Sequence, residues 1–241
     1  MEASSPTSAR SSARVPSPRI RRSTRTRRRS MSGPDRQRAL EQYRRRARGY
    51  DRLAPVTLRL RRRAVERLLL GQGQTVLDVA CSTGLTFGLI EDQIGPDGHL
   101  IGIDLSPEML SQARERVAAN GWRNVTLIES AIEDASIPEV AGAAVFVLTH
   151  DVMRSPEALG NVLAHVRPGG RISAAGGKRA PAWALPANLY LRYAMRRYTT
   201  TMEGFDRPWR ILEGLVPDLA VEQLLLGGAY VAWGTTARDG A

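Results

Sequence analysis

Three positions in this 241-residue chain carry side chains that could do chemistry together. Asp78 closes the apolar run Thr75–Val79. Asp104 lies near the end of a second run, His99–Leu105. His150 comes after a third, Ala143–Leu148, within Thr149-His150-Asp151. Each run is apolar or β-branched enough to be a strand covered on both faces. After Asp78 comes Ala80-Cys81-Ser82-Thr83-Gly84, which has almost no side-chain bulk, and then a helical pattern over Leu85–Glu91. Such a loop lets backbone N–H groups approach a ligand and feeds that ligand toward a helix N-terminus. Asp78 and Asp104 are 26 residues apart (104 − 78), one strand–helix–strand unit. An acid at the end of the second strand is placed to hydrogen-bond ribose hydroxyls. A dinucleotide site would want G-x-G-x-x-G, which Ala80-Cys81-Ser82-Thr83-Gly84-Leu85 does not supply. The pattern therefore points to a nucleoside-type cofactor rather than a pyrophosphate. His150 could take a proton near neutral pH, or serve only as a hydrogen-bonding residue. His99 starts a strand, His165 sits in a helix, and paired cysteines are lacking, so no metal site is expected.

These stretches resemble the class I S-adenosylmethionine-dependent methyltransferases. VLDVACSTG resembles that family's first motif, D-x-G-x-G-x-G; IGIDLSPEML resembles its second-strand segment, and VRPGGRI the approach to its fifth strand. The resemblance spans roughly residues 50–235 and is strongest toward small-molecule and lipid-type members, among them phosphatidylethanolamine N-methyltransferases and quinone-biosynthesis C-methyltransferases. Ala80 and Ser82 depart from it, standing where the family usually has glycine. The resemblance implies an α/β fold, a Rossmann-like seven-stranded sheet flanked by helices, with a C-terminal antiparallel hairpin and a helical cap. It implies S-adenosylmethionine as cofactor. Asp78, Ala80, Cys81, Ser82, Thr83 and Gly84 would hold the methionine part, and Asp104 with Leu105 the ribose. Met109 would lie against the adenine or else in the helix core. Ser130-Ala131 takes the place of an Asp-Ala pair at the adenine edge. Thr149 would border the pocket and His150 the methyl acceptor, with His150 as candidate general base.

The elements that position these residues read off in order. Residues 1–34 are Ser, Arg, Pro and Thr with little to bury, and are expected to be disordered. Residues 1–30 hold nine arginines and one acid, a net +8, leaving +3 of the chain's +11. The tail reads as a solvated arm, as a weak contact for nucleic acid or anionic membrane, as a transit-like segment, or as an over-long start before Met31. Residues 35–241 are expected to form the methyltransferase domain, with N-terminal helices over 35–70. Tyr43 and Tyr50, seven apart, share a helix face and could close over the acceptor or simply dock the helix. Pro55 interrupts; a helix then runs to Leu70, with Leu58, Ala64, Val65, Leu68 and Leu69 as its apolar stripe and Arg59, Arg61, Arg62 and Arg63 as its wet face. Ser106-Pro107-Glu108 and Ser155-Pro156-Glu157 open later helices as N-cap, N1 and first-turn acid. Val125–Glu129 is a third strand, and Arg167-Pro168-Gly169-Gly170 turns into another at Arg171–Ala175. Residues 176–212 read as an aromatic and basic cap, with Tyr190 and Trp209 as candidate acceptor contacts. Val221–Leu226 and Ala229–Thr235 read as strands joined at Gly227-Gly228.

The reading that unites these features is methyl transfer to a small-molecule or lipid-like N, O or C nucleophile. Two others stay open: a nucleic-acid methyltransferase, and a cofactor-binding protein that catalyses another reaction or none. The single cysteine fits a reducing compartment, and the expected location is cytoplasmic with possible peripheral membrane contact. Oligomeric state is not legible in the sequence.

Overall fold

The structure, a computed structural model, describes residues 49–51, 54–184, 188–189 and 203–238. The first helix, α1 (Ala54–Glu66), precedes a repeating strand–helix pattern: β1 (Thr75–Val79), α2 (Phe87–Ile94), β2 (His99–Asp104), α3 (Pro107–Asn120), β3 (Val125–Glu129), β4 (Ala141–Val147), α4 (Pro156–Ala164) and β5 (Val166–Gly177). A short helix α5 (Arg210–Glu213) leads to β6 (Ala220–Leu224) and β7 (Ala229–Thr235). The seven strands lie in the order β3-β2-β1-β4-β5-β7-β6. The first five are parallel, and β7 runs antiparallel between β5 and β6. This is the expected Rossmann-like α/β sheet with its C-terminal hairpin. Strand order reverses between β1 and β4, which opens a crevice above their C-terminal ends.

Both faces of the sheet are covered, which is why its strands read as unbroken apolar runs. One face sets Leu77, Val79, Ile101, Ile103 and Phe146 against Ala158, Leu159 and Val162 of α4. The other sets Val76, Leu100, Ala143 and Val145 against Ala64 and Val65 of α1, Leu68 just past its end, and Phe87, Ile90 and Ile94 of α2. The helices start as their caps dictate: Ser106 Oγ accepts the Met109 N–H at 3.3 Å, and Ser155 Oγ the Ala158 N–H at 3.1 Å.

The boundaries differ from the sequence expectation in physically simple ways. Pro55 sits inside the first turn of α1, where its missing N–H has no helical partner to lose. That helix ends at Glu66, not Leu70. The helix expected from Leu85 begins at Phe87. The Arg167–Gly170 turn is an excursion within β5: Ala141 pairs with Val166, and pairing resumes only at Ala143 with Arg171. Gly169, at φ 69°, makes it possible. The expected 1–34 tail, residues 35–48 of the expected N-terminal helices, and residues 185–187 and 190–202 of the cap fall outside the described residues.

Candidate active site

The sheet register brings the two acids together. Asp78 lies beside Gly102 on β2, two residues before Asp104, and beside Val145 on β4. Asp104 is buried at the strand end, and its carboxylate organises the loop. Its Oδ2 accepts the Ser82 N–H and its Oδ1 the Ser106 N–H, each at 2.8 Å. A carboxylate has about four acceptor sites, so capacity for hydroxyl donors remains. Burial raises its pKa to about 6 against the pull of these backbone donors.

The loop takes glycine-like backbone without glycine. Ala80 and Ser82 both adopt φ 53°, and Gly84 adopts φ 73°. Left-handed backbone costs a residue with a Cβ about 1–2 kcal/mol. The loop amides are partly spent internally: Cys81 N–H reaches Ile103 O at 3.0 Å, and Gly84 N–H reaches Cys81 O at 3.0 Å. The Cys81 side chain turns into the core, where burial pushes its thiol pKa well up. Gly102 lets it fit, since a Cβ there would sit 3.0 Å from Cys81 Sγ and 2.9 Å from the Phe87 ring.

Asp78 is the unusual group. It is buried, and its Oδ2 has no hydrogen-bond partner. Loss of solvation pushes its pKa up to about 7; Arg61 pulls the other way and Asp104 adds to the rise. Arg61 is the main residue that sequence reasoning misplaced. Assigned to the wet face of α1, it is only 4% exposed; Nη1 donates to Thr86 Oγ1 at 2.9 Å, and Nη2 reaches the Tyr50 hydroxyl at 3.5 Å. It is thus a buried cation at the mouth of the loop. Its only signal in the sequence is its place among four arginines, which does not distinguish it.

The segment before α1 folds over the loop. Tyr50 is buried against Met109, with Leu85 beside them. Met109 is thus a core residue in this conformation. Asp51 closes a clamp that sequence reasoning did not foresee. Its Oδ1 accepts the Thr83 hydroxyl at 2.7 Å and its Oδ2 accepts Arg116 Nη2 at 2.6 Å, while Arg116 Nε donates to Thr83 O at 2.8 Å. Ser130 and Ala131 come after β3 at the same edge; the Ser130 N–H bonds Asp104 O at 3.1 Å, and its hydroxyl donates to Ala131 O at 2.9 Å. Leu105 lies just past the end of β2, half-buried.

At the end of β4 the backbone is strained again. Leu148 holds φ 62°, an outlier for a bulky side chain, and its N–H bonds Ala175 O at 2.7 Å. Strain of this kind persists only where the surrounding structure enforces it, so the path into Thr149 and His150 is fixed. Thr149 and His150 are both buried, and among the described residues Thr149 Oγ1 and His150 Nδ1 have no hydrogen-bond partner. His150 stacks on Phe205, with ring centroids 3.9 Å apart, and its Nε2 bonds Glu203 O at 3.0 Å. A carbonyl only accepts, so Nε2 carries the hydrogen and Nδ1 the lone pair. Burial lowers the His150 pKa to about 4, although the bond to Glu203 opposes this. With its pKa that low, the ring is neutral at pH 6–7. Trp209 is corrected as an acceptor contact. It is packed in the core, its ring 5.0 Å from that of Tyr230. Tyr43 and Tyr190 lie outside the described residues.

Known proteins share both the sequence pattern and the fold. Residues 76–170 match the family described as "Methyltransferase domain". The chain is 37% identical over 109 residues to an arsenite methyltransferase of Halobacterium salinarum, covering 43% of this chain and 27% of that protein. It is 28% identical over 155 residues to a demethylmenaquinone methyltransferase of Listeria monocytogenes, covering 61% and 65%. The matches thus span from about a quarter to just under two thirds of these relatives. Among solved structures, the N-methyltransferase NodS from Bradyrhizobium japonicum WM9 in complex with S-adenosyl-L-homocysteine superposes with a TM-score of 0.61 at 17% identity, over 82% of this chain and 98% of that one, a likeness of fold.

Proposed function

We propose that this chain is a class I S-adenosylmethionine-dependent methyltransferase and transfers a methyl group to a small-molecule or lipid-like acceptor held against Thr149 and His150. The observation that carries this reading is the pair of buried carboxylates at the switch point, one of them with an oxygen that lacks a partner. The residues present fit the cofactor. Asp78 Oδ2 suits the α-ammonium of its methionine part, and buried Arg61 suits the carboxylate. Asp104 keeps acceptor capacity for ribose hydroxyls, and Ser130 keeps an uncharged hydroxyl for the adenine edge. Ala80 and Ser82 already hold the backbone that glycine would take, so their side chains do not change the path of the loop.

When bound, S-adenosylmethionine supplies a methyl group activated by its sulfonium. The work left to the chain is to align two partners and keep water out. His150 Nδ1 offers a buried lone pair. It would accept a hydrogen bond from an acceptor O–H or N–H and orient the nucleophile; its low basicity suits positioning more than proton storage. Thr149 Oγ1 is placed at the same edge to add a second polar contact. The names of the relatives support small acceptors, arsenite and demethylmenaquinone being examples.

The test is incubation of the purified chain with methyl-tritiated cofactor and fractionated cell extract. Label in a small-molecule or lipid fraction is the expected result. Label released by nuclease would favour nucleic acid, and no transfer to any fraction despite cofactor binding would leave a binding protein.

A further inference from the structure

The rim of the sheet beside this site carries apolar side chains that the fold holds out in solvent. Leu225 and Leu226 occupy the tight turn between β6 and β7, at 77% and 71% exposure. Both adopt left-handed backbone, φ 50° and 55°. Burying neither leucine while straining both is a double cost, so the turn is built for something other than stability. Trp183 and Leu189 are each 69% exposed. Contacts between their chain neighbours bring the two stretches side by side. Lys178 N–H bonds Gly228 O at 3.0 Å, and Lys178 Nζ bonds Gly227 O at 3.1 Å. Gly227 lies close under Pro181, and Asn188 bonds the backbone of Ala180 and Pro181.

The location matters as much as the composition. β5 ends at Gly177 and β6 at Leu224, both at the edge that holds Asp104, Thr149 and His150. Arg179 N–H bonds Phe205 O at 2.8 Å, and Phe205 is the ring stacked on His150. The rim therefore adjoins the acceptor side of the site. The stretch of sequence that carries Trp183 and Leu189 is also basic. Residues 176–212 carry seven Lys or Arg (178, 179, 192, 196, 197, 207, 210) against two acids (203, 206), a net +5. No helix among the described residues is long and apolar enough to cross a membrane. A tryptophan and projecting leucines in and beside a basic stretch match the composition of a surface that enters the headgroup region and stays there.

We propose that the Leu225–Leu226 turn, with Trp183 and Leu189, docks this chain on an anionic lipid bilayer, with the acceptor side of the site facing the membrane. The basic segment supplies long-range attraction, and the apolar tips supply the part that salt does not screen. This surface is read from exposure, strain and charge, and does not depend on methyl transfer.

The experiment uses the full chain and vesicles of phosphatidylglycerol with phosphatidylcholine, by co-sedimentation at low and high salt. Leu225→Asn with Leu226→Asn removes the apolar tips, and asparagine tolerates the left-handed backbone. The variant is expected to keep its melting temperature and to lose about tenfold or more in partitioning, at high salt above all, as the loss of two buried leucines implies. Brominated lipids are expected to quench tryptophan fluorescence in the wild type and to quench it less in Trp183→Phe. Equal partitioning of the double variant overturns the proposal, as does quenching unchanged by Trp183→Phe. A wild-type chain that ignores the vesicles but forms dimers broken by the double substitution would assign the rim to a second copy, and would equally overturn it.

Discussion

Asp78 is buried almost without compensation, so its proton is the most informative one in the protein. Its folded pKa of about 7 lies above the ordinary carboxylate value, as does Asp104's of about 6. The folded state therefore binds protons more tightly than the unfolded chain, and the penalty from both groups grows as pH rises from about 4 through 7. His150 works in the opposite direction: its folded pKa of about 4 lies below its unfolded value, so its contribution improves stability from about pH 4 to 6.5. Asp78→Asn isolates the first effect. In thermal melts the variant should match the wild type near pH 4 and exceed it at pH 7.5, by an amount on the order of a few kcal/mol. Equal curves at both pH values would mean that Asp78 is solvated in the folded state. An ammonium arriving at Oδ2 should also drive this proton off. Cofactor binding near pH 6.5 should then release protons, measurable as a binding enthalpy that changes with the buffer's ionisation heat. At His150, the two isosteres separate its nitrogens. Asparagine places an amide oxygen near Nδ1, and glutamine places its amide near Nε2. If Nδ1 orients the acceptor, Asn should retain more turnover than Gln, with cofactor affinity unchanged in both and no inflection in the wild-type rate between pH 5.5 and 7.5 that the substitutions abolish.

At the scale of elements, the strained loop after β1 makes a direct prediction. Ala80→Gly and Ser82→Gly remove the left-handed penalty of about 1–2 kcal/mol, partly offset by about 0.5–1 kcal/mol of added unfolded-state entropy. Each should leave stability equal or raise it by up to about 1 kcal/mol in denaturant melts; a clear loss at either site would show that its side chain contributes packing that outweighs the strain. The positions were legible in the sequence as departures from a glycine pattern, and their backbone explains why the departure is tolerated. The central strands were legible too, because a sheet covered on both faces leaves runs such as Thr75–Val79 and His99–Asp104 with little ambiguity. Helix starts were legible where Ser106 and Ser155 cap them. What escaped was long-range. Arg61 looks like its exposed neighbours until Thr86 and Tyr50 fold onto it. Asp51 and Arg116, 65 residues apart, share nothing in sequence that announces their clamp on Thr83. Trp209 has the composition of an acceptor contact, and only the antiparallel β7, which brings Tyr230 beneath it, turns it into core.

For the whole molecule, the chain divides its labour between a sheet that aligns two carboxylates and stretches of sequence that carry charge. Residues 1–30 hold +8 of the net +11 and almost no apolar side chains. Their deletion should leave the melting temperature and the cofactor affinity unchanged; a fall of more than a few degrees would show that they pack on the domain. The central claim is that the edge formed by Asp78, the 80–84 loop and Asp104 holds S-adenosylmethionine. Calorimetric titration with S-adenosylhomocysteine, the demethylated product, tests it most directly, since it needs no acceptor. The wild-type chain should bind one equivalent saturably. Asp104→Ala, checked for folding by its melt, should weaken that binding about tenfold to a hundredfold, as the loss of a charged hydrogen-bond acceptor costing about 1.5–3 kcal/mol implies. No saturable heat from the wild type, or equal affinity in a folded Asp104→Ala, would contradict it.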